Sequence, residues 1–227
     1  MMRQMLMVVA KQPAAGQTKT RLCPPLTGET AAALYACFLR DTLDIMRMTP
    51  DVTRCIVYLP EDADGYFRKL APDFVLMRQQ GATLGERLDN LLTAALTQGA
   101  PAAVVMDSDS PTLPAAYLTE AFARLAAGAD VVLGPCDDGG YYLIGLKEPQ
   151  PRLLREVPMS TPTVLRDTLI IAEELRLRVA LLPTWYDVDT AGELQRLRRE
   201  LTAPLEMGTS PSPAHYTRAF LEANLSD

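Results

Sequence analysis

The chain has 227 residues, a length that the usual ~100–200 residues per domain assigns to one large domain. A globule of this size hides roughly 70% of its unfolded surface, so neither disulfides nor a structural metal is needed to hold it together. A hydrophobic share of 48% and a charged share of 22% argue against extensive disorder, and 22 basic against 28 acidic side chains, a formal charge of −6, exclude the overall electrostatic footprint of a duplex-binding protein.

In chain order, short apolar runs alternate with segments of helical period. The opening run Met5-Leu6-Met7-Val8-Val9-Ala10 is shorter than a signal-peptide core and continues into Lys11-Gln12-Pro13, so it reads as a first buried strand over 5–10. A helix follows over 28–48, then strands over 53–59 and 73–77. In 83–98, Leu84, Leu88, Leu91, Leu92, Ala95 and Leu96 form the stripe of a core-facing helix. Strand 102–106, helix 114–127, strands 130–133 and 141–146, helix 163–176, strand 178–182 and helix 190–202 complete the pattern. Residues 203–213 are rich in Pro, Ser and Thr and read as a linker to a last helix over 214–224. The expected organisation is a domain over 1–202, with 203–227 as linker and C-terminal helix packed on it. This alternation predicts an α/β fold, a mostly parallel sheet with helices on both faces. Ligands in such sheets sit beyond the carboxyl ends of the strands.

Cys23, Cys37, Cys55 and Cys136 form no Cys-x-x-Cys pair, and the only histidine is His215. No zinc site is therefore expected, and free thiols suit a reducing, cytoplasmic setting. No apolar run approaches the ~18–20 residues of a membrane span, so no membrane partner is expected.

Chemistry-bearing residues cluster after the strands. Asp107-Ser108-Asp109-Ser110-Pro111 follows strand 102–106, and Asp187-Val188-Asp189-Thr190 follows an apolar stretch. Carboxylates at i and i+2 leaving a buried strand suit a hard divalent cation, although helix capping accounts for part of each cluster. The loop Lys11–Arg21 gathers three cations around Gly16 in an otherwise acidic chain, which suits phosphates; a Walker A loop fails, because its glycines would fall on Pro13 and Thr18. Gly134–Gly145 offers an Asp pair, glycines and two tyrosines for a polyhydroxy substrate, or simply a hairpin turn with core aromatics. Thr83 with Glu86 reads as a capping box.

Together, Lys-x-Pro-x-x-Gly-x-x-Lys-Thr-Arg-Leu (11–22), Gln-x-x-x-Leu-Gly-Glu-Arg (80–87), Asp-Ser-Pro (109–111), Gly-Pro-x-x-Asp-Gly-Gly-Tyr-Tyr-Leu-Ile-Gly (134–145) and Asp-Val-Asp-Thr (187–190) resemble the GT-A superfamily of glycosyltransferases and nucleotidyltransferases. More narrowly, they resemble a bacterial subfamily of GT-A-like transferases, some of them arsenosugar-pathway glycosyltransferases. The resemblance spans about residues 5–200. It implies a single-domain, nucleotide-diphospho-sugar transferase-like sandwich around a twisted sheet. It implies that Asp109 and Asp189 hold Mg²⁺ or Mn²⁺, and that Lys11, Gly16, Lys19, Thr20, Arg21, Gln80, Gly81, Arg87 and Asp107 surround a nucleotide sugar or a nucleoside triphosphate. Asp107 stands where relatives usually carry glycine. Gly139, Gly140, Tyr141 and Tyr142 are implied on the side of a small-molecule acceptor, with Asp137 or Asp138 as base and Lys19 as the cation at the diphosphate.

The leading expectation is metal-dependent glycosyl transfer from a nucleotide-diphospho-sugar. Nucleotidyl transfer, as in phospholactate guanylyltransferases, would use the same metal and basic loop. A haloacid-dehalogenase-type phosphatase is suggested by Asp107-Ser108-Asp109 but expects Thr or Val where Pro111 stands. A non-catalytic nucleotide-binding module is the remaining alternative.

Overall fold

A computed structural model describes residues 3–202 and 214–224. Seven strands form one sheet in the order β3-β2-β1-β4-β6-β5-β7. They are β1 (Gln4–Lys11), β2 (Val52–Leu59), β3 (Val75–Arg78), β4 (Ala103–Met106), β5 (Val131–Pro135), β6 (Tyr141–Leu146) and β7 (Val179–Leu181). β1 pairs in parallel with β2 and β4, β2 with β3, and β5 with β7. Among the described residues, only β6 runs against its neighbours, β4 and β5. The remaining strands therefore present their carboxyl ends along one rim.

Both sheet faces are covered, which is why the strands read as continuous apolar runs. Leu6, Val8, Ala10, Val104 and Met106 pack on one side with α1 (Gly28–Arg47), α4 (Ala115–Ala126), α7 (Ala191–Thr202) and α8 (His215–Asn224). Met5, Met7, Ala103 and Val105 pack on the other with α3 (Leu84–Thr97), α5 (Pro151–Arg155) and α6 (Val164–Glu174). The period of two along each strand thus divides the core into two layers.

Three local features differ from the sequence reading. The third strand starts at Val75 rather than at 73, because Phe74 N donates to Ala71 O at 3.1 Å in a turn and the Asp73 carboxylate is held by Arg47. Short helices α2 (Asp64–Leu70) and α5 lack side-chain caps and are too short to show a stripe. A 3-10 turn, Thr20–Leu22, interrupts the basic loop.

The expected linker over 203–213 lies outside the described residues. Beyond it, α8 is fastened to α1 by Asp41, whose Oδ1 accepts from Tyr216 N at 3.0 Å and whose Oδ2 accepts from Thr217 N at 2.9 Å and Thr217 Oγ1 at 2.6 Å. A buried carboxylate from a distant helix thereby caps the first amides of α8. Asp41→Ala is expected to lower unfolding free energy by about 2 kcal/mol in urea titration, the upper range for losing a cap. A loss within experimental error would show that α8 is held by its apolar face alone. Among the described residues, no helix is long and apolar enough to cross a membrane.

Candidate active site

The loop after β1 is folded back by a turn in which Thr18 Oγ1 donates to Ala14 O at 3.1 Å and accepts from Ala14 N at 3.3 Å. Gly16 supplies a φ of 70° within it, a left-handed conformation that glycine adopts without penalty. Lys19, itself left-handed at φ 52°, is thereby aimed back over the rim. Its side chain is only 5% exposed, and its Nζ lies 2.6 Å from Asp109 Oδ1 and 2.8 Å from Asp189 Oδ1. Arg21 reaches Asp189 Oδ2 at 3.0 Å. Burial favours the neutral amine, but Asp109 and Asp189 outweigh it and hold Lys19 protonated well above its ordinary range.

The two acidic segments lie side by side: Val188 N donates to Asp109 O at 2.9 Å. Their first carboxylates form the floor. Asp107 Oδ1 accepts from Asp109 N at 2.9 Å, while its Oδ2 is buried without a hydrogen-bond partner. Asp187 Oδ1 accepts from Cys136 Sγ at 2.9 Å and Ser110 Oγ at 3.2 Å. Burial raises the proton affinity of Asp107, and the neighbouring Asp187 and Asp109 add to it. Burial also pushes Asp187 up to about 6, with Asp109 contributing. Behind the floor, Ser108 Oγ lies 2.8 Å from the Tyr35 hydroxyl and donates to Val9 O at 3.1 Å, tying β4's exit to β1 and α1. Glu193, in the first turn of α7, accepts from the amides of Asp189 and Thr190 at 3.1 and 2.6 Å and so fixes the second acidic segment.

Two cavities meet at these carboxylates. One, about 450 Å³, is basic and lined by Lys11, Lys19, Thr20, Arg21 and Arg87. The other, about 410 Å³, is lined by Leu84, Leu143, Met159, Tyr141 and Asp138. Asp107, Asp109 and Asp189 border both.

The structure brings Lys11, Lys19, Thr20, Arg21, Arg87, Asp107, Asp109 and Asp189 to the basic cavity, but not three other residues expected at a nucleotide. Gly16 serves the turn before Lys19. The Gln80 carbonyl accepts from Asn90 Nδ2 at 2.9 Å. Gly81, at φ 136°, leaves no room for a Cβ against Arg87 N, which makes it a turn residue ahead of α3. The capping box is present in shifted form: Thr83 Oγ1 accepts from Glu86 N at 3.1 Å, and Glu86 reaches back to Ala82 N at 2.8 Å.

Around the second cavity the expected residues also divide. Asp138 and Gly140 line it, with Asp138 Oδ1 accepting from Gly140 N at 2.9 Å. Asp137 does not: its half-exposed carboxylate pairs with Arg196 of α7. Tyr141 lines the cavity and turns its hydroxyl to Met159 Sδ at 3.8 Å. Tyr142 also borders the cavity, with its hydroxyl committed to Pro183 O at 3.0 Å and its ring packed in the core over Gly134. Gly139, at φ 90°, turns the β5–β6 hairpin against Pro162. Asp187 is legible in the sequence as the first carboxylate of the Asp-x-Asp repeat at 187–189, whereas nothing local points to Cys136.

The sequence matches the DUF2064 family, described as an uncharacterized protein conserved in bacteria, over residues 42–161. No curated protein matches it significantly. Among solved structures it resembles a protein of Desulfovibrio desulfuricans G20 provisionally named a nucleotide-diphospho-sugar transferase, at 32% identity and a TM-score of 0.87, covering 99% of this chain and 96% of that one. A cytidylyltransferase of Leptospira borgpetersenii shares the fold at 13% identity and a TM-score of 0.56, covering 99% and 96%. Glucosyl-3-phosphoglycerate synthase of Mycobacterium tuberculosis, in complex with Mn²⁺, uridine diphosphate and glucosyl-3-phosphoglycerate, does so at 14% and 0.51, covering 87% and 77%. The dehalogenase-type phosphatase reading falls with this fold, which matches the nucleotide-diphospho-sugar transferase-like structure over 99% of the chain. The chain belongs to the DUF2064 family and has the GT-A-like fold of nucleotide-diphospho-sugar transferases.

Proposed function

We propose that this protein is a metal-dependent transferase that moves a glycosyl group from a nucleotide-diphospho-sugar to a small-molecule acceptor. One observation carries the reading: a basic cavity and a mixed apolar–acidic cavity meet at Asp109 and Asp189. A diphosphate in the first would place its sugar toward the second.

The residues present fit a divalent cation. Asp109 and Asp189 already turn one oxygen each toward a common positive charge, the Lys19 ammonium, at 2.6 and 2.8 Å. Both are hard oxygen donors of the kind that Mg²⁺ and Mn²⁺ prefer. The chemistry such an ion supplies when held there is Lewis-acid stabilisation of charge on the departing diphosphate. Lys11, Arg21 and Arg87 line the same cavity and neutralise the remaining phosphate oxygens through charge-assisted hydrogen bonds. Asp138, on the other cavity, is positioned to accept the proton of an acceptor hydroxyl in an inverting reaction. Tyr141, Leu143 and Met159 exclude water from that side. The name of the 32% identical relative supports the donor class, and the four free cysteines suit a reducing, cytoplasmic setting.

Nucleotidyl transfer is the second reading, favoured by the four cations on the basic cavity, enough to match a triphosphate. The products separate the two. Release of nucleoside diphosphate from a nucleotide sugar is the expected result, whereas pyrophosphate release from a triphosphate would replace it with nucleotidyl transfer. Binding without either product would leave a nucleotide-binding module. In a thermal-shift screen with Mn²⁺, the correct nucleotide at about a hundred times its Kd is expected to raise Tm by roughly 5–10 °C. Asp109→Ala should remove the dependence of that shift on Mn²⁺. A shift equal with and without the ion in the unmodified protein would end the metal-dependent reading.

A further inference from the structure

Below the Lys19 bridge lies a second group of donors that the proposed reaction does not use. Cys136 Sγ, one oxygen of Asp107 and one of Asp187 all lie within 4.8 Å of one another. They come from the exits of β4 and β5 and from the segment ahead of α7, which the Cys136–Trp185 bridge and the hydrogen bond from Asp137 N to Trp185 O at 3.0 Å tie to the exit of β5. Asp107 ends β4 with its amide on Tyr142 O at 3.0 Å, and Cys136 is fixed by its amide on Gly140 O at 3.0 Å. Asp187 is oriented by Ser110, the kind of outer hydrogen bond that holds metal-ligating carboxylates in place.

Three facts indicate that this group lacks a counter-charge of its own. Asp107 Oδ2 is buried and has no hydrogen-bond partner, a costly state for a carboxylate oxygen. Asp187 faces it with an oxygen already shared between a hydroxyl and the Cys136 thiol. Lys19, whose charge reaches Asp107, and Arg21 are engaged by Asp109 and Asp189.

We propose that Cys136, Asp107 and Asp187 form a site for one thiophilic divalent cation of the zinc or cadmium class at the floor of the cleft, distinct from the Asp109–Asp189 position. A sulfur donor selects for such ions and against Mg²⁺. Binding forms one metal–sulfur bond and two metal–oxygen bonds, and the Cys136 thiol proton leaves to solvent together with any proton held by the Asp107–Asp187 pair. The absence of any Cys-x-x-Cys or histidine cluster does not forbid the site, because its donors are brought together from positions 29 and 51 residues apart.

Cd²⁺ is the probe, followed by the ultraviolet cadmium–thiolate charge-transfer band, which requires no enzymatic activity. The unmodified protein is expected to develop the band to one equivalent of Cd²⁺, with a large excess of Mg²⁺ leaving it in place. Cys136→Ser, a near-isosteric change, should abolish the band at one equivalent while preserving the fold by circular dichroism. Asp187→Asn should weaken Cd²⁺ binding at least 10-fold, as loss of even an outer-shell partner does. A band of equal strength in Cys136→Ser would assign the ion to Cys23, Cys37 or Cys55 and overturn the proposal. So would the absence of a band in the unmodified protein, its removal by Mg²⁺, or unchanged affinity in Asp187→Asn.

Discussion

Lys19→Met is expected to lose transferase activity by roughly 10²–10³-fold, the cost of removing one preorganised charge partner from developing negative charge. The same change should lower stability by about 2–3 kcal/mol. That is below the ~3–5 kcal/mol for breaking a fully buried ion pair, because the Asp109 and Asp189 side chains are 33% and 30% exposed. What remains after the substitution is a set of four carboxylates, Asp107, Asp109, Asp187 and Asp189, around one rim, with Arg21 as the cation still paired to them. Mn²⁺ should therefore stabilise Lys19→Met more than the unmodified protein, since the ion no longer competes with an ammonium for the same oxygens. Lys19→Arg, which keeps the charge, should retain most of the stability. Urea titrations with and without Mn²⁺ decide the matter, and equal Mn²⁺ responses in the unmodified protein and Lys19→Met would show that Lys19 and the ion do not share a place.

Gly139→Ala is the second large effect, for a different reason. At φ 90° a side chain is strained wherever it points, and here a Cβ would overlap the Pro162 carbonyl oxygen. The left-handed penalty of ~1–2 kcal/mol and an overpacking cost of ~1–3 kcal/mol together give about 3 kcal/mol of lost stability. Gly139 O also accepts from Leu165 N at 3.0 Å in the first turn of α6, so displacing the hairpin disturbs that helix start and moves Asp138 and Tyr141 on the second cavity. Activity should fall with stability, and the urea midpoint should drop accordingly. A variant with unchanged midpoint would mean that the hairpin and the segment before α6 separate freely.

The strands were legible because burial on both faces writes each of them as a short apolar run between polar breaks, and all seven runs are found as strands. Direction was not legible. Tyr141–Leu146 reads the same as a parallel or an antiparallel strand, and only the hairpin closed by Gly139 reverses it. Short helices such as Pro151–Arg155 escaped because five residues make little more than one turn. At the site, the residues at strand exits were visible as polar breaks, but their orientation was not. Asp137 and Asp138 are adjacent and chemically identical, yet one pairs with Arg196 and the other borders a cavity. Cys136 looked like an isolated buried thiol, and its carboxylate neighbours come from sequence-distant segments.

The Lys19–Asp189 contact joins positions 170 residues apart, and this sets when the cleft can exist during synthesis. A nascent chain that has emerged only through β6 possesses the basic loop and the first acidic segment but lacks the second. Fragments ending before Asp189 are therefore incapable of assembling the rim, whatever secondary structure they form. The rim of Lys19, Asp109 and Asp189 therefore closes only once the start of α7 has left the ribosome.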